Sequence, residues 1–136
     1  MSRESGKRVL LVDDEMDILV VMKDGLQKAG FSVRACRDSV TALENFAPGR
    51  YDLVITDIRM PGMNGLDLYQ KIKSVDPQTP VIFLSAYDMS SAELSFARRL
   101  DPDAVIIYKP VGMKEFLARE KCCLAARALS SPRSSS

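Results

Sequence analysis

The chain has 136 residues, of which 46% are hydrophobic and 27% charged, and its formal net charge is +1. This length fits one domain, and the composition is that of an ordinary globular protein, with neither a nucleic-acid footprint nor an acidic tail. The chain contains no histidine, which excludes serine–histidine catalysis, most transition-metal sites and a role as a phosphohistidine donor. Any chemistry must therefore use carboxylates, hydroxyls and lysine.

Membrane insertion and disulfides are not expected. No apolar run approaches the roughly 18 residues that a membrane span needs, and the first residues are too polar for a signal peptide. The cysteines, Cys36, Cys122 and Cys123, are odd in number and show no CxxC spacing, which favours reduced thiols over a disulfide framework or a zinc site. We therefore expect a cytoplasmic protein.

Short apolar runs alternate with stretches of helical spacing along the chain. The predicted strands are RVLLV, FSVRAC, YDLVI, PVIFL and AVIIY. The five helices that alternate with them are predicted from apolar stripes at 18–29, 40–46, 66–72, 94–100 and 116–129. Runs this apolar belong in a parallel sheet that is covered on both faces. The pattern predicts an α/β fold, a doubly wound five-stranded parallel sheet in a three-layer sandwich.

One domain accounts for nearly the whole chain. We expect residues 1–7 to form an N-terminal extension and residues 8–129 to form the domain. Residues 130–136 are expected to be a disordered serine-rich tail, because SSPRSSS contains no side chain that could build a core. On this interpretation no second domain and no output module follow.

Polar residues stand where the predicted strands end. The first strand ends in Asp13 and Asp14, the third in Asp57, the fourth in Ser85 and the fifth in Lys109. Ligands of such sheets bind beyond the carboxyl ends of the strands, so these side chains are expected to converge. Each residue alone is explained as a helix cap, a turn residue or a solvated side chain. Together, however, three close carboxylates repel one another and require a cation, which Mg²⁺ and the lysine would supply.

Four segments carry a family resemblance, namely VLLVDDE, DLVITDIRMPGMNG, VIFLSA and YKP. In their order and spacing they resemble the receiver domains of bacterial and archaeal two-component response regulators, over nearly the whole chain before the serine tail. The resemblance implies a flavodoxin-like, or CheY-like, strand order, which the periodicity alone does not give. It also implies a phosphorylation-activated signalling switch rather than a turnover enzyme.

The resemblance implies an acceptor and a metal site. Asp57 matches the phosphoacceptor, whose carboxylate attacks as a nucleophile and forms an acyl phosphate. With Asp57, Asp14 would ligate Mg²⁺ directly, Asp13 would act mainly through a metal-bound water, and the backbone carbonyl of Arg59 would complete the protein ligands. This fits the physical demands of phosphoryl transfer, which are mostly positioning and neutralisation of charge.

The matched residues also imply a switch and partners for it. Ser85 and Lys109 would bind the new phosphoryl group through a hydrogen bond and an ion pair, contacts that distinguish the two states. The implied donor is a sensor histidine kinase or a phosphotransfer protein. The implied output is a downstream effector protein on the surface of the fourth helix, fifth strand and fifth helix. No recognition motif favours nucleic-acid binding, and a homodimer is left open.

Some positions depart from the family pattern. The family usually carries an aromatic residue three positions before the lysine, where this chain has Ile106. In a regular strand Tyr108 would share the face of Ile106, so Tyr108 or Tyr87 could replace the usual aromatic readout. Arg59 and Tyr87 each stand two residues past a site residue. We hypothesise that their bulk shields the phosphoryl group from a hydrolysing water.

Three alternatives belong to other functional classes. A flavin mononucleotide carrier needs a phosphate-cradling loop after the first strand, where Asp13, Asp14 and Glu15 would repel the ligand. An aspartate-nucleophile phosphatase commonly has a second acid two residues after its nucleophile, where Arg59 stands. The third is a degenerate receiver that binds a protein without phosphorylation. Ile106 favours it, whereas the intact set of site residues disfavours it.

Overall fold

The computed structural model describes residues 7–86 and 91–109. The strands in this part of the chain are β1 (Arg8–Val12), β2 (Ser32–Cys36), β3 (Leu53–Asp57), β4 (Val81–Ala86) and β5 (Val105–Lys109). The helices are α1 (Met16–Lys28), α2 (Ser39–Asn45), α3 (Gly65–Val75) and α4 (Ser91–Leu100). The predicted alternation is confirmed for these elements. The fifth helix, predicted within 116–129, and the serine-rich tail lie outside the described residues.

All five strands belong to one parallel sheet in the order β2-β1-β3-β4-β5. This confirms the flavodoxin-like order that the family resemblance implied. The chain leaves β1 for β2 on one side and then crosses back to β3 on the other side. The crossing creates a switch point between β1 and β3, where sheets of this kind bind their ligands beyond the strand ends.

Apolar side chains cover the sheet on both faces. On β1, Val9 and Leu11 belong to the core layer that includes the apolar side chains of α1, whereas Leu10 and Val12 belong to the layer that includes those of α2, α3 and α4. All four side chains are fully buried. Each buried side chain of this size stabilises the fold by about 1.5–3 kcal/mol relative to an exposed one, which explains why β1 is apolar at every position after Arg8.

Helix α3 has a well-defined start beside the end of β3. The Asn64 side chain accepts a hydrogen bond from the Asp67 backbone N–H at 2.9 Å, and the Asp67 carboxylate accepts one from the Asn64 N–H at 3.4 Å. This capping box satisfies two N–H groups that the helix cannot pair internally. None of the described helices is long and apolar enough to cross a membrane.

Candidate functional site

The predicted site residues lie at the edge of the sheet that the carboxyl ends of the strands form. Asp13 directly follows β1, Asp57 ends β3, Ser85 lies one residue before the end of β4, and Lys109 ends β5. Because β1, β3, β4 and β5 are neighbours in the sheet, their carboxyl ends meet along this edge. In the strand register Asp57 lies beside Leu84 and Lys109 beside Ala86. Tyr87 lies outside the described residues. For Lys109, the structure describes the backbone and not the side chain.

Three carboxylates form a tight cluster at this edge. Oxygen atoms of Asp13, Asp14 and Asp57 all lie within 4.8 Å of one another. Asp13 is fully buried, Asp57 is 4% exposed and Asp14 is half-buried. Burial and like charge both raise the free energy of the ionised carboxylates, so the cluster needs a compensating cation. The structure thus brings together the acids that the sequence singled out.

Backbone hydrogen bonds hold the strand ends that carry these acids. The Asp13 N–H donates to the Cys36 carbonyl at 3.1 Å, which ties the end of β1 to β2. The Asp13 carboxylate in turn accepts from the Glu15 N–H at 2.9 Å. Past β3, the Ile58 N–H donates to the Leu84 carbonyl at 3.0 Å. These bonds fix the backbone that carries Asp13 and Asp57 to the neighbouring strands.

Ser85 adds a hydroxyl group to the same edge. Its side chain is fully buried, and the residue follows Leu84, the register partner of Asp57. Buried hydroxyls are costly unless they make hydrogen bonds. The buried Ser85 hydroxyl is thus one of the polar groups at the carboxyl ends of the strands.

An open pocket of about 460 Å³ borders the cluster. Its wall includes Asp14, Arg59 and Asn64 together with Glu93 from α4. The Arg59 guanidinium donates to the Glu93 carboxylate through Nη2 at 2.9 Å and through Nε at 3.2 and 3.3 Å. This ion pair links the loop after β3 to the first turn of α4. Glu93 was not among the residues predicted from the sequence.

The donor chemistry fits a hard divalent cation. All the clustered ligand atoms are carboxylate oxygens, which Mg²⁺ prefers and which suit zinc or copper less well. The pocket beside Asp14 leaves room for the waters that Mg²⁺ usually keeps. Arg59, whose carbonyl was predicted to be a further ligand, lines this same pocket.

Comparison with known proteins decides the family. Residues 9–120 match the family model described as the response regulator receiver domain. The chain belongs to this family. Receiver domains are signalling modules rather than turnover enzymes, they generally bind Mg²⁺ at an acidic pocket, and response regulators interact with histidine kinases and effector domains.

Individual relatives agree with this assignment. The transcriptional regulatory protein PrrA of Mycobacterium leprae is 32% identical over 131 residues, which cover 96% of this chain and 55% of PrrA. The transcriptional regulatory protein YkoG of Bacillus subtilis is 34% identical over 117 residues, which cover 85% of this chain and 50% of YkoG. The receiver domain thus spans about half the length of these curated relatives.

Solved structures support the fold. A CheY-like response regulator receiver domain protein from Methanospirillum hungatei superposes with a TM-score of 0.83 at 28% identity, covering 92% of this chain and 98% of that protein. The signal receiver domain of an HD domain-containing protein from Pseudomonas fluorescens superposes with a TM-score of 0.82 at 26% identity, covering 91% and 98%. The predicted fold class and family are therefore confirmed.

Proposed function

We propose that this receiver domain is switched by phosphorylation of Asp57. The observation that carries the proposal is the position of the Asp57 carboxylate, buried at the end of β3 and within 4.8 Å of Asp13 and Asp14. The end of a buried strand holds the carboxylate in one place, and a pocket lined by Asp14 opens to solvent beside the cluster. Positioning of this kind supplies much of the catalysis in phosphoryl transfer.

In the proposed reaction an oxygen of the Asp57 carboxylate attacks the phosphorus of the donor. A phosphorus–oxygen bond forms, and the bond between phosphorus and the leaving nitrogen of the donor's phosphohistidine breaks, so that Asp57 becomes an acyl phosphate. This chain has no histidine, so a phosphohistidine donor must lie outside the given sequence. We propose a sensor histidine kinase or a phosphotransfer protein in that role.

The three clustered acids and the backbone carbonyl of Arg59 would hold Mg²⁺. When bound, the ion neutralises charge on the carboxylates and on the transferred phosphoryl oxygens. Asp13 is positioned for this role by its hydrogen bond from the Glu15 N–H. Asp14 is the half-buried member and faces the pocket.

Ser85 and Lys109 would bind the phosphoryl group once it is on Asp57. A phosphoryl group brings about −1.5 to −2 charges and strong acceptor oxygens, which favour a hydroxyl donor and an ammonium group. Since these contacts exist in only one of the two states, they shift the equilibrium between conformations. The switch therefore converts a local charge into a change of shape.

The output surface is proposed to be the face formed by α4, β5 and the predicted fifth helix. In the described part of this face Phe96 and Tyr108 are each 38% exposed, and Arg99 lies 5.6 Å from the centre of the Phe96 ring. An aromatic and basic surface of this kind suits an effector protein. We propose a cytoplasmic location, without membrane insertion or nucleic-acid binding. Dimerisation is left open.

The test is the intact mass of the protein after incubation with Mg²⁺ and acetyl phosphate. We expect an adduct of about 80 Da, one phosphoryl group, that requires Mg²⁺ and is absent from Asp57→Asn. Asp103→Asn, which removes an exposed carboxylate elsewhere, serves as the matched control and should be labelled like the wild type.

The second candidate is a degenerate receiver that binds its partner without phosphorylation. Ile106 favours it, because this residue is 6% exposed and packed in the core where the family usually has its aromatic residue. The same experiment separates the two. A protein that forms no adduct and binds no beryllofluoride would refute the switch and support the constitutive module.

A further inference from the structure

A second pocket lies at the opposite end of the sheet from the acidic cluster. We call it the basic pocket and define it by Arg8, Lys23, Arg34 and Arg50 together with the β2 residues 32–35. Its volume is about 560 Å³. Arg8 begins β1 and Arg50 shortly precedes β3, so the pocket is at the amino end of the strands. It is therefore separate from the proposed phosphorylation site.

The lining of the basic pocket carries an excess of positive charge. Its wall contains four cationic side chains and no acid, whereas the whole chain has a net charge of only +1. Of the neighbouring acids, Asp24 pairs with Lys28 at 3.1 Å, and Asp52 lies beside the pocket, where its carboxylate accepts from the Arg8 backbone N–H at 2.8 Å. Within residues 7–86 and 91–109 none of the four cations forms a salt bridge. Such a concentration of like charge attracts an anionic ligand.

Two of the guanidinium groups are held in place by neutral acceptors. Arg8 Nη2 donates to the Gly49 carbonyl at 2.9 Å, and Arg50 Nη1 donates to the Asn45 carbonyl at 2.7 Å. A carbonyl fixes a guanidinium without cancelling its charge. An arginine has five N–H donors, so other donors of each group can bind a carboxylate. This arrangement reduces the entropy that a bound anion would cost.

The pocket also contains an open backbone edge. Among the strands that the structure describes, β2 is at the lateral edge of the sheet and pairs with β1 alone. The Ser32 N–H donates to the Lys7 carbonyl at 2.9 Å, so by the alternation of a parallel ladder the N–H and C=O groups of Val33 and Ala35 point away from β1. Such an edge is a template for another extended chain.

The four cations and the open edge of β2 together indicate which ligand the basic pocket would bind. We propose that the basic pocket binds an extended acidic segment of a partner protein, which pairs with the outer edge of β2 and places its carboxylates against the four cations. The exposed Arg34 in the middle of β2 disfavours pairing with a second copy of the same strand, because like charges would then meet. A segment of opposite charge is favoured for the same reason.

The test uses a capped octapeptide of alternating glutamate and threonine, with a glutamine–threonine peptide as its neutral control. Binding to the full chain is followed by amide NMR shifts. We expect the acidic peptide to bind, with the largest shifts at Val33 and Ala35, and the neutral peptide to bind roughly tenfold more weakly or worse. The affinity should be the same in Asp57→Asn, because the basic pocket is separate from the acceptor.

Charge variants decide whether the pocket is responsible. Arg34→Glu should weaken binding of the acidic peptide by roughly tenfold or more, and Arg34→Gln by less. The matched control is Lys71→Glu, which makes the same change of charge on an exposed position of α3 and should alter the affinity by less than about twofold. Equal weakening by both glutamate variants, or shifts that avoid β2, would overturn the proposal. Tighter binding of pyrophosphate than of the peptide would also overturn it, in favour of a small oxyanion.

Discussion

Gly65 lies directly against the backbone of Asp57. A Cβ atom at position 65 would overlap the Asp57 carbonyl oxygen and would lie 2.9 Å from its carbonyl carbon and 3.0 Å from the Ile58 Cα. The Gly65 N–H donates to the Ile58 carbonyl at 2.8 Å. The first residue of α3 is therefore packed on the strand end that carries the proposed phosphoacceptor, at a distance that only glycine permits.

Replacing Gly65 should lower the stability of the fold and slow the phosphorylation of Asp57. The Gly65→Ala methyl group can be accommodated only by moving backbone, which we expect to lower the free energy of unfolding by about 1–3 kcal/mol. Labelling of Asp57 by acetyl phosphate should slow, because the acceptor is displaced. Gln70→Ala, at an exposed position of the same helix, should change stability by less than about 0.5 kcal/mol. Denaturant unfolding measures the stability, and intact mass measures the labelling. A Gly65→Ala protein with the stability and the labelling rate of the wild type would contradict the packing argument.

Repulsion within the acidic cluster should make the metal-free wild type less stable than a variant that lacks one of the three carboxylates. Asp14→Asn removes one of three carboxylates within 4.8 Å of one another, so the metal-free variant should gain about 1 kcal/mol from reduced repulsion. The same change should weaken Mg²⁺ binding, and the wild type should gain more stability from added Mg²⁺ than the variant. Thermal unfolding with and without Mg²⁺ tests both points. A variant that loses stability without Mg²⁺ and responds fully to Mg²⁺ would refute them.

The strands and the carboxylate cluster could be predicted because both depend on local signals. Continuous apolar runs identify strands covered on both faces, and the ends of parallel strands meet at one edge regardless of detail. Asp13, Asp14 and Asp57 therefore converge as the sequence indicates. The strand order required the family resemblance, because periodicity does not say which strands are neighbours.

Other features depend on distances that no local pattern encodes. The partner of Arg59 is Glu93, 34 positions later in the chain, and their contact depends on how α4 packs. The basic pocket likewise combines residues from α1, from the first two strands and from the segment before β3. The close approach at Gly65 is visible only as a three-dimensional contact.

Acid should weaken the start of α2 through Asp38. This residue is the helix N-cap, and its carboxylate accepts a hydrogen bond from the Thr41 N–H at 2.7 Å, which lowers the pKa of Asp38 below its ordinary value of 3.8. Because the folded-state pKa is lowered, the stabilisation is complete above the unfolded-state pKa and is lost as the pH falls through the folded-state pKa. Asp38→Asn keeps a capping oxygen without this titration. The stability of the wild type relative to the variant should therefore fall as the pH is lowered from 5 to 2, and parallel pH curves would contradict the argument.

Arg59 should lengthen the life of the phosphoryl group on Asp57. Its side chain lines the pocket beside Asp14 and is held there by Glu93, where it would obstruct a hydrolysing water. Arg59→Ala, alone or with Tyr87→Ala, should therefore dephosphorylate faster than the wild type, as measured by decay of the adduct mass after removal of acetyl phosphate.

Glu93→Gln separates the bulk of Arg59 from its ion pair. The two side chains are 47% and 36% exposed, so loss of the ion pair should cost less than about 1 kcal/mol of stability. Because the guanidinium remains in the pocket, the rate of dephosphorylation should stay close to that of the wild type. If Arg59→Ala with Tyr87→Ala decays at the wild-type rate, the shielding hypothesis is wrong. If Glu93→Gln decays as fast as Arg59→Ala, the ion pair rather than the bulk protects the acyl phosphate.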